Sequence, residues 1–190
     1  PPTAGRHVVG PMVQLRWGSP TLLTLDLALL VELPAPIRVI VLGRLQVLLP
    51  DQSHPLVQIR MDALGVLDLS AETVALDATL YDSRILQFTL TGDMALRAGW
   101  GRQPQFVLAI GGFHPRFAPP PGLPALQRLA LQLADGDSLQ LRCQAYLAVT
   151  SNTVQFGARV DLHAAGGGFS FDGLLGFDAI LQLAPLAFEV

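Results

Sequence analysis

Few residues in this chain have the types and spacing that chemistry needs. The most distinctive string is Gly111-Gly112-Phe113-His114-Pro115-Arg116-Phe117. An imidazole two residues from a guanidinium could form a pocket for an anion or a carboxylate, with Arg116 offering a planar fork of donors. The competing reading is structural, with Arg116 hydrogen-bonding loop carbonyls while Phe113 and Phe117 plug the open end of a core. A single histidine with no nucleophile or ligand motif beside it favours the structural reading. Phe113, His114, Arg116 and Phe117 are therefore the candidate binding residues, and no catalytic residue or metal ligand is assigned.

The remaining motifs point away from catalysis. His7, His54, His114 and His163 show no metal-ligand spacing. Asp135-Gly136-Asp137 opens like a calcium loop but lacks the closing glutamate, so a hairpin turn explains it better. Gly166-Gly167-Gly168 reads as a flexible joint, because no helix follows to present its N-terminus to a phosphate. No Gly-x-Ser-x-Gly elbow is present. The 12 cations are all arginine, which removes the Walker lysine, Schiff-base chemistry and any lysine general base. Cys143 stands alone, so neither an internal disulfide nor a cysteine-rich zinc site can form. A net charge of −3 argues against a nucleic-acid partner, whose phosphates demand a basic surface. Asp62, Asp68, Asp77 and Asp93 fall on polar strand positions and read as solvated. The expectation is a protein that is not an enzyme and needs no cofactor.

The elements that would position any site are strands. Hydrophobic residues make up 51% of the chain and charged ones only 14%, which excludes disorder. From 21 to 33 the odd positions Leu23, Leu25, Leu27, Leu29, Val31 and Leu33 alternate with Thr24, Asp26 and Glu32. Period two over this length means a half-buried strand. The scheme repeats after turns at 18–20, 34–36, 50–55 and Asp82-Ser83, and again around 134–138. Residues 1 to 11 read as irregular, and Gly43, Gly65 and Gly92 as bulges or bends in a strongly curved sheet. Rhythm breaks clearly only in the proline-rich stretch from Ile110 to Leu129. Leu123–Leu129 has helical spacing, and the segment Gly176–Leu183 reads as either a short helix or a strand, with the helix near 177–183 favoured. The longest apolar stretch, Leu22 to Leu33, is interrupted by Asp26 and Glu32, so no transmembrane helix is expected.

The predicted fold is thus a single mainly β domain over 1–190, an antiparallel sheet of about ten long strands with one or two short helices. Strands of about 13 residues would span roughly 43 Å. Two short helices cannot cover that much apolar face. The sheet must fold on itself as a sandwich or barrel, or curve strongly and leave a trough. The closed form is the expected one. No signal peptide or initiating Met opens the chain, and Leu186-Ala-Phe-Glu-Val190 stops in mid-pattern, so both ends read as cut from a longer protein.

Three strings carry a resemblance: Gly10-Pro-Met-Val-Gln-Leu-Arg-Trp-Gly-Ser-Pro-Thr21, the Gly-Gly-Phe-His-Pro-Arg-Phe…Pro-Pro-Gly-Leu-Pro-Ala-Leu string, and Gly176-Phe-Asp-Ala-Ile-Leu-Gln-Leu-Ala-Pro185. Together they resemble a β-rich domain of unknown function found in very large bacterial multidomain proteins. The resemblance implies a bacterial source and a non-autonomous module, and it carries no activity or functional residue. Two functions are expected to compete. One is a structural or assembly module that contacts other domains of the same large protein or copies of itself. The other is a carrier of an apolar ligand such as a lipid. They differ in whether Leu25, Leu27, Val41, Val47, Phe88 and Leu90 meet in a dry core or line an open groove.

Overall fold

A computed structural model describes residues 7–34, 37–102 and 104–189. Among them are fifteen strands and no helix, hence no helix long and apolar enough to cross a membrane. In chain order they are β1 (His7–Val9), β2 (Met12–Trp17), β3 (Leu23–Leu33), β4 (Arg38–Leu49), β5 (Val57–Asp68), β6 (Thr73–Leu80), β7 (Ser83–Ile85) and β8 (Phe88–Thr91). Then come β9 (Asp93–Gly99), β10 (Gln105–Ile110), β11 (Leu129–Asp135), β12 (Leu139–Thr150), β13 (Thr153–Gly166), β14 (Phe169–Leu183) and β15 (Leu186–Glu189).

Every pairing is antiparallel and all strands belong to one sheet. Four pairs lie end to end: β1 with β2 beside β3, β6 with β7 beside β5, β8 with β9, and β10 with β11 beside β12. The fifteen strands thereby form eleven files, each file following its neighbour in the chain. This is a meander, which local turns alone can build. No pairing joins β1 or β2 to β14 or β15 among the described residues, so the sheet does not close by hydrogen bonding.

The mainly β, antiparallel expectation holds, while several details need correction. The count is fifteen rather than about ten, because single files are broken in mid-course. At 81–83 the expected turn is a kink between β6 and β7: Asp82 has φ 42° and the Ser83 hydroxyl donates toward the Arg60 and Tyr81 carbonyls. The chain reverses at Leu86-Gln87 instead. No helix forms at 123–129, where Pro121 and Pro124 remove backbone donors, and β11 begins at Leu129. None forms at 177–183, which completes a fourteen-pair register with β13. Gly43 and Gly65 sit in uninterrupted ladders and are not bulges, whereas Gly92 does mark the break between β8 and β9. Gly167 and Gly168, at φ 61° and 81°, form the tight two-residue β13–β14 hairpin rather than a flexible joint. The 134–138 hairpin forms as expected. Of the irregular segment expected at 1–11, residues 7–9 are strand and 1–6 lie outside the described residues, as do 35 and 36 of the 34–36 turn.

The register assigns each side chain to a face. One row across the apolar face reads Val13, Leu27, Gly43, Ala63, Ala78, Met94, Ile110, Leu147, Phe156 and Ala179. A neighbouring row on the other face reads Gln14, Asp26, Arg44, Asp62, Thr79 and Asp93. Among the described residues the buried hydrophobic side chains are six alanines with Val107 and Tyr146, and no leucine, isoleucine or phenylalanine is among them. A closed sandwich or barrel would bury its large aliphatic side chains completely. This sheet leaves them half-buried, so its apolar face is not the inside of a dry core.

Candidate functional site

The proline-rich stretch is an excursion out of one strand file. Ile110 pairs with Leu147 of β12, and Leu129 pairs with Ala145 two positions along the same strand. The chain leaves the sheet after β10 and returns as β11 in the same file and direction. Gly111 permits the exit: its φ is 68°, and an added Cβ would lie 2.5 Å from the Ala145 carbonyl oxygen and 2.7 Å from the Leu129 nitrogen. The loop 111–128 then lies over the polar face.

Its fastening is polar. Arg128 donates to the Gly111 carbonyl at 3.1 Å and the Phe113 carbonyl at 2.8 Å, with its guanidinium 3.9 Å from the centroid of the Tyr146 ring. Tyr146 donates to Asp178 Oδ1 at 2.8 Å. Burial, reinforced by that hydrogen bond and by the carboxylate charge, holds the phenol well above its ordinary pKa. Arg97 grips Asp77 through two nitrogens, at 2.7 and 2.9 Å, and reaches the Gly122 carbonyl at 3.3 Å. Gln127 and Asp93 exchange two further bonds.

The structure separates the four candidate residues. His114 is buried; its N–H donates to Gln155 Oε1 at 3.0 Å, and its Nδ1 accepts the Arg116 N–H at 3.2 Å. Gln155 is fully buried and in turn donates to Thr153 Oγ1 at 2.8 Å. The Arg116 side chain is 71% exposed and pairs with Glu189 on β15. Phe113 and Phe117 stack on each other with ring centroids 5.5 Å apart. A groove of about 600 Å³ beside them is lined by the loop itself and includes His114 but not Arg116. His114 and Arg116 therefore do not form a shared anion pocket. The carbonyl-binding role expected of Arg116 belongs to Arg128.

Arg128, Tyr146, Asp178 and Gln155 escape the sequence reading. One signal existed: Tyr146 occupies the polar phase of β12, in line with Gln140, Arg142 and Gln144. A pocket of about 280 Å³ is lined by Arg128, Gln144, Tyr146, Gly157, Arg159 and Asp178, among others. Its charged groups already have partners: Arg159 is bound to Asp161, Arg128 to loop carbonyls and Asp178 to Tyr146. A phenol held protonated is no general base at neutral pH. No group of three or more His, Cys, Asp or Glu side chains could hold a metal among the described residues.

Elsewhere the polar face carries exposed pairs: Arg38 with Asp68 at 2.7 Å, Arg44 with Asp62 at 2.8 Å, and His163 with Asp172 at 2.6 Å. Hydrogen bonds from Arg44 and Arg38 hold the Asp62 and Asp68 carboxyls below their ordinary range. A groove of about 890 Å³ crosses this face between Met12 and Thr79. On the opposite face, Leu25, Leu27, Val41, Val47, Phe88 and Leu90 all point the same way and all are partly exposed. No curated protein and no solved structure matches the chain. A family model described as "Family of unknown function (DUF6603)" matches residues 1–190, and the chain belongs to that family.

Proposed function

We propose that this chain is a non-catalytic interaction module of a large bacterial protein, whose apolar sheet face is packed by other domains of that protein or by further copies. One observation carries the reading: an apolar face runs across the whole open sheet, with its large side chains half-buried. Contiguous apolar surface of this extent marks a contact site. The site chemistry agrees, because Arg128 is spent on loop carbonyls and Tyr146 on Asp178. Sequence resemblance supplies the context of large multidomain proteins.

The partial exposure of the six apolar-face residues also favours a second reading, an apolar-ligand carrier. It is the weaker one. A small-molecule site encloses most of its ligand's surface, whereas one uncovered sheet face offers a single wall. Native mass spectrometry and lipid extraction on the purified protein decide between them. The module reading predicts a lipid-free, associating protein. Stoichiometric co-purifying lipid would replace it with the carrier.

A further inference from the structure

Within the loop 111–128, one segment has a burial pattern that repeats every three residues. From Phe117 to Leu126 the half-buried positions are Phe117, Pro120, Leu123 and Leu126, and both residues between each pair are exposed. A strand would alternate in twos and a helix in threes and fours, whereas a period of three belongs to polyproline II. The local sequence imposes it. Proline fixes its own φ near the polyproline value and drives the residue before it into the extended region, so Ala118, Pro119 and Pro120 have little other choice. None of the cis peptide bonds among the described residues lies in this segment. Gly122, at φ 84°, bends it into two limbs, 117–121 and 123–126.

One edge of the segment is spent on the protein. Phe117 stacks on Phe113, and its N–H donates to the His114 carbonyl at 2.9 Å. At the bend the Arg97 guanidinium holds the Gly122 carbonyl at 3.3 Å. The other two edges are free. Ala118, Pro119 and Pro121 stand outward on the first limb, Pro124 and Ala125 on the second. Among the described residues, the carbonyls of 118–121 accept no hydrogen bond from the chain. A Cβ added to Gly122 would meet no atom within 4 Å, so the crest is open as well.

We infer that residues 117–121 form a docking ridge for a partner protein whose groove is lined by tryptophan or tyrosine, with Ala118-Pro119 and Pro121 seated in it. Proline rings pack flat against aromatic rings, and the freed carbonyls can accept an indole N–H or a phenol O–H from the partner. Ordering costs little here. A polyproline ridge is stiff by itself, and this loop is closed at its base by Arg128 and pinned at its bend by Arg97. No charged residue occurs between Arg116 and Arg128, so the ridge itself offers a phosphate or a lipid headgroup no countercharge. The ridge lies on the opposite side of the sheet from the apolar face, and the inference stands independently of the reading proposed for that face.

An NMR titration of the intact 190-residue protein against three purified, isotope-labelled domains, an SH3, a WW and an EVH1 domain, tests this. These domains share an aromatic groove and differ in what surrounds it. At least one is expected to show saturable shifts confined to its groove. Pro119→Gly removes a ring and loosens the backbone, and should weaken that binding by about tenfold. Ala118→Asp places a charge on the outward edge without touching the inward one and should weaken it similarly. It serves if the first variant lets the loop unfold, which hydrogen exchange at the His114 amide reports. Trp17→Lys, at an exposed position in register with Leu23 on the apolar face, should leave binding unchanged. Absence of groove shifts in all three domains overturns the inference, and so does binding that is equally strong in both ridge variants. Stoichiometric co-purifying lipid would remove the module reading and leave each of these outcomes as it stands.

Discussion

The two faces of this sheet invert the usual relation between residue type and burial. Under the loop 111–128, the polar face buries Ala95, Ala109, Ala148 and Gln155 completely. On the apolar face, leucines, valines and phenylalanines remain half-exposed. Depth here is decided by what covers a residue, not by its hydrophobicity. The covered region is small, polar at its fastenings and complete in itself, with no buried side-chain nitrogen or oxygen left unpartnered. The uncovered face is extensive and unfinished. The chain's main hydrophobic surface is thus the half-exposed one.

Substitutions that lift the loop should have the largest effect on the isolated chain. Gly111→Ala forces an alanine into positive φ and a Cβ onto the Ala145 carbonyl, and should lower unfolding free energy by about 3 kcal/mol in a urea titration. Arg128→Ala removes two charge-assisted hydrogen bonds and a cation–π contact, an expected loss of roughly 2–3 kcal/mol. It should also expose His114 to hydrogen exchange. Gln155→Ala strands the buried His114 N–H, which should cost about 1–3 kcal/mol.

The apolar face should respond less. Leu25→Ala, at a partly exposed position, is expected to lose about 1 kcal/mol, well below the loss at a fully buried leucine. A loss of buried-core size would break the contrast between the faces. The smallest effect belongs to the exposed ion pairs. Asp62 and Asp68 have lowered carboxyl pKa values, so their contribution is present above the unfolded carboxylate pKa of about 3.9 and disappears as pH falls through the depressed folded values. Thermal melts should show only a slight decline in that acid range, diminished further by salt.

Much of the sheet was legible because period two and phase are local properties. Leu23 to Leu33 at odd positions do lie together on the apolar face. Segment 177–183 misleads because Phe177, Ile180 and Leu181 match helical spacing, while in β14 they alternate between faces under a register imposed by β13. Closure was not legible either, since it depends on whether files 1 and 11 meet, a long-range fact with no local signal. The candidate site fared similarly. Its stretch stood out through prolines and glycines, but the partners that fasten it, Tyr146, Gln155 and Asp178, lie on β12, β13 and β14. Only the stacked order of those strands brings them under His114 and Arg128.

Hydroxyl-radical footprinting of the lipid-extracted monomer tests the open apolar face most directly. The account predicts that Leu25, Leu27, Val41, Val47, Phe88 and Leu90 are labelled clearly more than the side chains beneath the loop, with Val107 and Tyr146 as the covered references at 5% and 6% exposure. Protection of those six residues to the level of the references would mean a dry, closed core, and would contradict it.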